Sequence, residues 1–322
     1  MSSNPEAAPS IPASELLPSL TSVIQGKTIL ILGASPNSLG ARFLNLIKPA
    51  APGLVLLGGR SPEKSEQVAS DIAPIPSKKF AIDMMSFDSV RAAAKTINEM
   101  KDTKIDVVIN SAGSMATAYS KSVDGFESQL QCNHLGFFLF TNLIMDKLIE
   151  SKARIVNVSS EGYSFGGIRY YDYNFHDGES YDPFISYGQA KTGQVLFSSA
   201  LATKLGHRGI LSYSIQPGHT AGTNLGAGWA PEATMEAFVK ILQFVGSPGG
   251  WNHPPPSSPD QNLANYLVAA FDPKLAKDNG AYIRQAQVVD PDTMAPWGVD
   301  ERQQRLCWEF SEKLVGQTFK YD

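Results

Sequence analysis

The chain has 322 residues, of which 43% are hydrophobic and 18% charged, a balance ordinary for a globular protein of one large or two small domains. A net charge of −4 gives no electrostatic reason to expect nucleic acid or an anionic membrane surface as partner. Two cysteines, Cys132 and Cys307, make no disulfide framework and belong to no metal-ligand cluster, and the longest apolar stretch, near 135–144, is too short to span a bilayer. These features predict a cytoplasmic protein with reduced thiols, no membrane span and no metal.

Residues 1–25 are rich in Ser, Pro and Ala and contain no Lys or Arg. They have neither the charged start and apolar core of a signal peptide nor the arginines of a transit peptide. The expectation is a loosely ordered extension whose Leu16, Leu17 and Leu20 pack on the domain. Apolar runs bounded by turn residues predict strands at 28–32, 54–57, 80–82, 105–109, 154–158 and 210–215, with a last one at 281–283. Between them lie helix-like stretches at 40–48, 62–72, 86–100, 125–150 and 185–205. This alternation predicts one α/β domain over 26–322, a Rossmann-type doubly wound parallel sheet of about seven strands with helices on both faces. Two segments interrupt it. An aromatic insertion at 163–184 carries Tyr163, Phe165, Tyr170, Tyr171, Tyr173, Phe175, Tyr181 and Phe184, and a Gly- and Pro-rich segment at 222–262 includes Trp229, Phe238, Phe244 and Trp251. Long insertions of this kind are often lids or binding loops, so both are expected near a substrate mouth. Their aromatics suit an apolar ligand, or packing against one another or a second subunit of a homo-oligomer.

The chemistry-bearing motifs fall at strand ends. Gly33, Ala34, Ser35, Pro36, Asn37, Ser38, Leu39 and Gly40 follow the first strand and open a helix, where free backbone N–H groups and a dipole end can meet a pyrophosphate. After the second strand comes Gly58-Gly59-Arg60-Ser61, with no acid before Glu63. An NAD enzyme usually places a carboxylate there for the ribose hydroxyls; its absence, with Arg60 able to grip a 2′-phosphate, predicts NADP(H). Tyr187 and Lys191 are i and i+4 on a predicted helix, so they share one face. An ammonium beside a phenol favours the phenolate, which suggests proton transfer coupled to hydride transfer.

Taken with Asn110-Ser111-Ala112-Gly113, Asn133, Ser159-Ser160 and Pro217-Gly218 in that order, these motifs resemble the short-chain dehydrogenase/reductase family over about residues 26–322. The longer segment between the serines and Tyr187 looks most like the retinol-dehydrogenase and WW-domain-oxidoreductase branch, and the ending is similar to its fungal members. The resemblance implies that Ser160 hydrogen-bonds the reacting oxygen, Tyr187 passes the proton, and Lys191 tunes Tyr187 while holding the nicotinamide ribose. Asn133 would order a water linked to Lys191, with Ser159 structural. It also implies cofactor contacts at Gly33, Ser35, Asn37, Ser38, Leu39, Gly40, Arg60, Asp83, Asn110, Ala112, Gly113, Pro217, Gly218, and Thr220 and Thr223. The family loop has three glycines; here the middle one is missing, the loop is one residue longer, and Asn37 is the residue best suited to a left-handed backbone. Asp83 could instead cap a helix, a task that Ser86 and Asp88 also suit. The implied activity is reduction of a bulky hydrophobic ketone or aldehyde, or the reverse oxidation, in a setting such as fungal secondary metabolism. A non-catalytic NADP sensor and a redox-neutral epimerase or dehydratase are the rival readings.

Overall fold

The predicted apolar runs become strands, those in the middle of the sheet covered on both faces; the edge strand expected at 80–82 forms over 77–81 with only Phe80 buried. Six parallel strands form: β1 (Thr28–Leu32), β2 (Leu54–Gly59), β3 (Ser77–Ala81), β4 (Val107–Asn110), β5 (Arg154–Val158) and β6 (Leu211–Ile215). They are joined by parallel β7 (Tyr282–Arg284) and a short antiparallel β8 (Gln287–Val288). The order is β3-β2-β1-β4-β5-β6-β7-β8, so the chain reverses direction across the sheet between β1 and β4. That reversal opens a crevice at the carboxyl ends of the strands, the usual ligand site of such sheets. The computed structural model describes residues 11–218, 225, 236, 239–241, 243 and 257–321.

Two apolar layers cover the sheet, fed by alternate residues of each strand. Ile29, Ile31, Val55, Leu57, Ile109 and Val156 face helices α1 (Ala13–Ile24), α2 (Leu39–Ile47) and, later in the chain, a helix at Pro259–Phe271. Leu30, Leu32, Leu56, Val108 and Ile155 face the opposite layer, which includes residues of the helices at Phe87–Glu99, Gly136–Leu143 and Pro183–Leu205. Among the described residues the other main helices, in chain order, are α3 (Pro62–Asp71), α4 (Phe87–Glu99), α5 (Gly136–Leu143), α6 (Met145–Ser151), α7 (Pro183–Leu205), α8 (Pro259–Phe271) and α9 (Glu301–Val315).

Three expectations need correction. The N-terminal extension is not loosely ordered over 13–24: a stripe of Leu16, Leu20 and Ile24, with Leu17 beside it, winds α1 onto the domain, and Ser14 bonds the Asp260 carboxylate. Strand β4 begins at 107 rather than 105, because the Asp106 carboxylate accepts from the Thr28 N–H and the Lys27 ammonium. The helix expected over 125–150 is broken into a short turn, a π-helical turn at Gln131–Leu135, then α5 and α6. The π turn widens the helix where Asn133 sits, and π turns frequently mark functional sites.

Candidate active site

The strand ends converge on one cavity of about 870 Å³. At its floor, Gly33 takes a positive φ of 97°, and a side chain there would place its Cβ 2.2 Å from the Ala112 backbone nitrogen. No residue with a Cβ fits that crossing of β1 and β4. Gly40 lets α2 pack closely, its missing Cβ lying 3.1 Å from the Gly33 carbonyl. Asn37 adopts the left-handed backbone expected of it, with φ 67°. Ser38 is the helix cap: its hydroxyl accepts from the N–H groups of Ser35 and Ala41. The one-residue-longer loop therefore still turns into a capped helix N-terminus.

Along the rim, Gly58 is squeezed between Leu32 and Phe80, whose atoms would lie 2.3 and 2.7 Å from an added Cβ. Arg60 is exposed and lines the cavity beside Ser61 and Lys64. Ser61 caps α3, and its hydroxyl donates to the Glu63 carboxylate. Asp83 also lines the cavity, with one oxygen engaged by the Met85 N–H. The capping task falls to Ser86, at the start of α4. Asn110 lies outside the cavity wall. Its amide donates to Thr141 and to Asn157, tying β4 to β5 from a fully buried position. It serves the sheet, and the residue that lines the cavity at this strand end is Ser111.

The residues expected to carry catalysis meet at the ends of β4 and β5 and the first turns of α7. Ser160 accepts from the Gly162 N–H at 3.0 Å, and Ser159 donates to the Lys191 carbonyl at 2.9 Å, the structural part expected of it. Tyr187 is 2% exposed, its ring lying on Gly162, where a Cβ would come within 2.7 Å of it. Lys191 is 4% exposed, with Nζ 5.4 Å from the Tyr187 ring centre and donating to Val158 O at 2.8 Å and Gln194 Oε1 at 3.0 Å. Asn133 pairs its whole amide with the Ser114 backbone, accepting at 2.9 Å and donating at 2.8 Å. Its side chain thus fixes the loop after β4 and does not line the cavity.

The electrostatics differ from the sequence expectation in one respect. Burial pushes the Tyr187 phenol up to about 12, opposed by a hydrogen bond with Ser160, rather than the lysine drawing it down. Burial also brings Lys191 down to about 7. Two neighbouring groups taken out of water both favour their neutral forms, so here desolvation outweighs the pairing.

On the last strand ends, Gly218 has φ 74° and no room for a side chain, since a Cβ would fall 1.9 Å from Asn262 Oδ1. Pro217 lines the cavity with it, whereas Thr220 and Thr223 lie outside the described residues. Sequence reasoning missed Lys64, Glu161, Gln216 and Tyr266, all in the cavity wall. Glu161 and Gln216 adjoin Ser160 and Pro217, so adjacency was the available signal. Tyr266 arrives from α8 and bonds Ser111 at 2.9 Å, a meeting across 155 positions that no local pattern announces.

The aromatic insertion is mostly scaffold. None of its eight aromatics lines the cavity. Phe165 and Phe184 pack with Tyr187 and Ile241 in one apolar cluster. Tyr170 and Tyr173 pack edge-on against Phe310 of α9, 5.3 and 5.5 Å between ring centres. Trp229, Phe238, Phe244 and Trp251 lie outside the described residues. Among the described residues no group of three His, Cys, Asp or Glu could hold a metal, and no helix is long and apolar enough to cross a membrane.

Comparison with known proteins gives the same outline. The family described as short chain dehydrogenase matches residues 27–174. The short-chain dehydrogenase/reductase prx1 of Penicillium roqueforti is 31% identical over 307 residues, covering 91% of this chain and 86% of that protein. Human retinol dehydrogenase 13 is 32% identical over 299 residues, again covering 91% of this chain and 86% of its own. An uncharacterized protein of Mycobacterium paratuberculosis, of known crystal structure, superposes with a TM-score of 0.67 at 27% identity, covering 92% of this chain and 96% of that one.

Proposed function

The chain belongs to the short-chain dehydrogenase/reductase family, and on that premise we propose that it is an NADPH-dependent reductase of ketones or aldehydes on a bulky hydrophobic molecule. The observation that carries this reading is the single cavity that joins Ser160, Tyr187 and Lys191 to the glycine loop and to the Gly59–Arg60 rim. The residues fit a dinucleotide. Gly33 and Gly218 line the wall where any side chain would collide with backbone or with Asn262, so main chain is what faces the cavity there. The capped start of α2 offers N–H groups to a pyrophosphate. Arg60, with Lys64 three residues into the next helix, supplies cations for a 2′-phosphate, and no carboxylate stands at Gly59 to repel it.

When bound, NADPH would supply the hydride to the carbonyl carbon. The chain's own residues handle the oxygen. Ser160 and Tyr187 donate hydrogen bonds to it as it gains negative charge, and the Tyr187 O–H bond then breaks as its proton goes to that oxygen. A phenol held near 12 remains protonated at neutral pH, so the donor is loaded for reduction. Lys191 would hold the ribose; lowered to about 7, it is present as ammonium in part at neutral pH, and in that form it stabilises the phenolate left behind. The positive φ of Asn37 supplies the turn that the missing family glycine would have made, so the longer loop gives no support to the rival reading of a non-catalytic sensor.

The test is a screen of apolar ketones with each nicotinamide, followed by cofactor absorbance. NADPH should be consumed steadily and bind more tightly than NADH. A protein that binds neither nicotinamide, or that turns substrates over with no net NADPH consumption, would overturn the reading.

A further inference from the structure

Lys191 stabilises a phenolate only as the ammonium, yet it sits where burial disfavours that form and lowers it to about 7. An ammonium has three N–H donors and no acceptor. The fold gives Nζ two oxygens, Val158 O at 2.8 Å and Gln194 Oε1 at 3.0 Å. The first is main chain at the end of β5 and would be present with any residue at 158. The second is a side chain three positions further along α7, on the same helix face.

Gln194 is fully buried, and its amide is used unlike those of other glutamines in this fold. Gln129, equally buried, accepts from the Ala116 N–H and donates to the Tyr181 hydroxyl and Pro183 O. Gln189 accepts from the Arg169 N–H and donates to Tyr173 O. Both amides join segments of chain through their two ends. Gln194 has Lys191 on its oxygen and, among the described residues, no partner on its nitrogen. A buried donor left unmatched costs stability, a cost that an aliphatic side chain of the same length avoids. What the amide contributes here is its oxygen, aimed at a cation. Other groups near Lys191 do not supply that negative end. Cys132 faces it from the π turn and Tyr187 from its own helix, and burial pushes both up, so neither is an anion at neutral pH. Glu161 and Asp83 line the same cavity from the ends of β5 and β3, and a substitution at Gln194 leaves their carboxylates in place.

We propose that Gln194 is a positioning residue whose amide oxygen keeps Lys191 charged beside Tyr187, and so sets the upper pH limit of the reduction. This rests on the reductase reading and adds a residue that acts through Lys191 without touching substrate or cofactor.

The experiment compares the full chain with Gln194→Met, which keeps the length and loses the acceptor, and Gln194→Glu, which puts a carboxylate in its place. Lysine labelled with ¹³C at Cε gives the titration midpoint of Lys191 in the ligand-free protein, its signal identified by its loss in Lys191→Arg. The pH dependence of kcat/KM, with NADPH and a panel of apolar ketones, gives the midpoint that limits turnover. In the unaltered protein the rate should fall as pH rises through the Lys191 midpoint, since the ammonium is lost there. Gln194→Met should lower both midpoints by about one pH unit, the size of a lost hydrogen bond from a charged group, and Gln194→Glu should raise both by about as much or more. Opposite displacements by two side chains of similar size are not what packing alone produces, and the melting temperature of each variant reports folding separately. Midpoints that stay fixed in both variants, or move the same way in both, overturn the assignment. So does a Lys191 midpoint that moves while the pH limit of kcat/KM does not. A protein that reduces no ketone, while its Lys191 midpoint moves as expected, overturns the reductase reading and leaves the hold of Gln194 on Lys191 standing.

Discussion

The glycine-loop side and the Ser160–Tyr187 side of this cavity, which the proposed function gives to cofactor and substrate, are built by different means. On the cofactor side the wall is backbone: Gly33, Gly58 and Gly218 occupy places where a single carbon would come within 1.9–2.3 Å of another atom. On the substrate side the wall is held from behind by side chains. Phe165 and Phe184 back Tyr187, and Tyr170 and Tyr173 lean on Phe310, which comes from the far end of the chain. A wall of main chain is written in a few glycines at fixed places, whereas a wall supported by packing is distributed over distant segments.

The largest effect that bears on this contrast comes from the one residue belonging to both sides. Tyr187→Phe keeps the ring on Gly162 and removes the transferable proton, so turnover should fall by about 10³ or more with NADPH affinity and fold intact. Ser160→Ala should cost about 10²–10³ in turnover, also with cofactor binding retained. Lys191→Ala should differ from both by weakening NADPH binding as well. Single-turnover kinetics and NADPH titration read these three apart, and substantial carbonyl reduction by the Tyr187→Phe protein would defeat the mechanism. Next in size is Phe310→Ala, which leaves Tyr170 and Tyr173 without their edge-on partner. It should cost about 3 kcal/mol of stability, seen as a melting temperature several degrees lower, with KM for NADPH unchanged. If it instead raises KM for the ketone at unchanged stability, the aromatic insertion is a substrate wall and not a scaffold.

The same contrast explains what the sequence could reveal. Strands 28–32 and 154–158 are read without error, because both faces of each are covered and the apolar runs are continuous. Gly33, Asn37, Gly40 and Gly218 are legible because left-handed φ or close approach admits so few residue types. The order of chain elements is legible too, since alternating strands and helices leave few topologies. Less visible were the roles that depend on a partner far away in sequence. Asn110 stands at a strand end among the expected cofactor contacts, and only Asn157 and Thr141, distant in sequence, show what its amide bonds. The packing leucines of α1 were legible, but the helix that carries them lies in a Ser- and Pro-rich tract and becomes intelligible only with α8 beneath it. An ammonium beside Tyr187 favours its phenolate, but burial of both groups acts the other way, a consequence of packing that the i, i+4 spacing does not carry.

A smaller and more specific change tests whether the cofactor rim is read by charge. Gly59→Asp together with Arg60→Ala should shift preference from NADPH toward NADH by about tenfold or more, the effect of exchanging one charge-assisted contact for another. The new Cβ would lie 3.2 Å from Ser65 Oγ, a hydroxyl that bonds Ser61 O and must give by a few tenths of an ångström. Lys64→Ala alone should weaken NADPH more than NADH. If the unaltered protein already binds NADH more tightly than NADPH, the reading of Arg60 and Lys64 is wrong.

The smallest expected effect concerns Asn37, where the contrast between backbone and side-chain walls can be put to a single residue. If the loop needs only its left-handed turn, what matters is tolerance of φ 67° and not the amide. Asn37→Gly should then preserve or slightly improve NADPH affinity, since glycine adopts positive φ without a Cβ penalty. Asn37→Val should weaken it by several-fold, because a β-branched side chain at positive φ is a genuine outlier and left-handed backbone costs L-residues roughly 1–2 kcal/mol. Ser38 would then turn from its cap as the loop relaxes, exposing the N–H groups of Ser35 and Ala41 that it now satisfies. Titration of NADPH into the two variants checks the order. Equal affinities would mean that the strained turn at Asn37 is not coupled to the pyrophosphate, and that the cap at Ser38 alone sets the geometry of the loop.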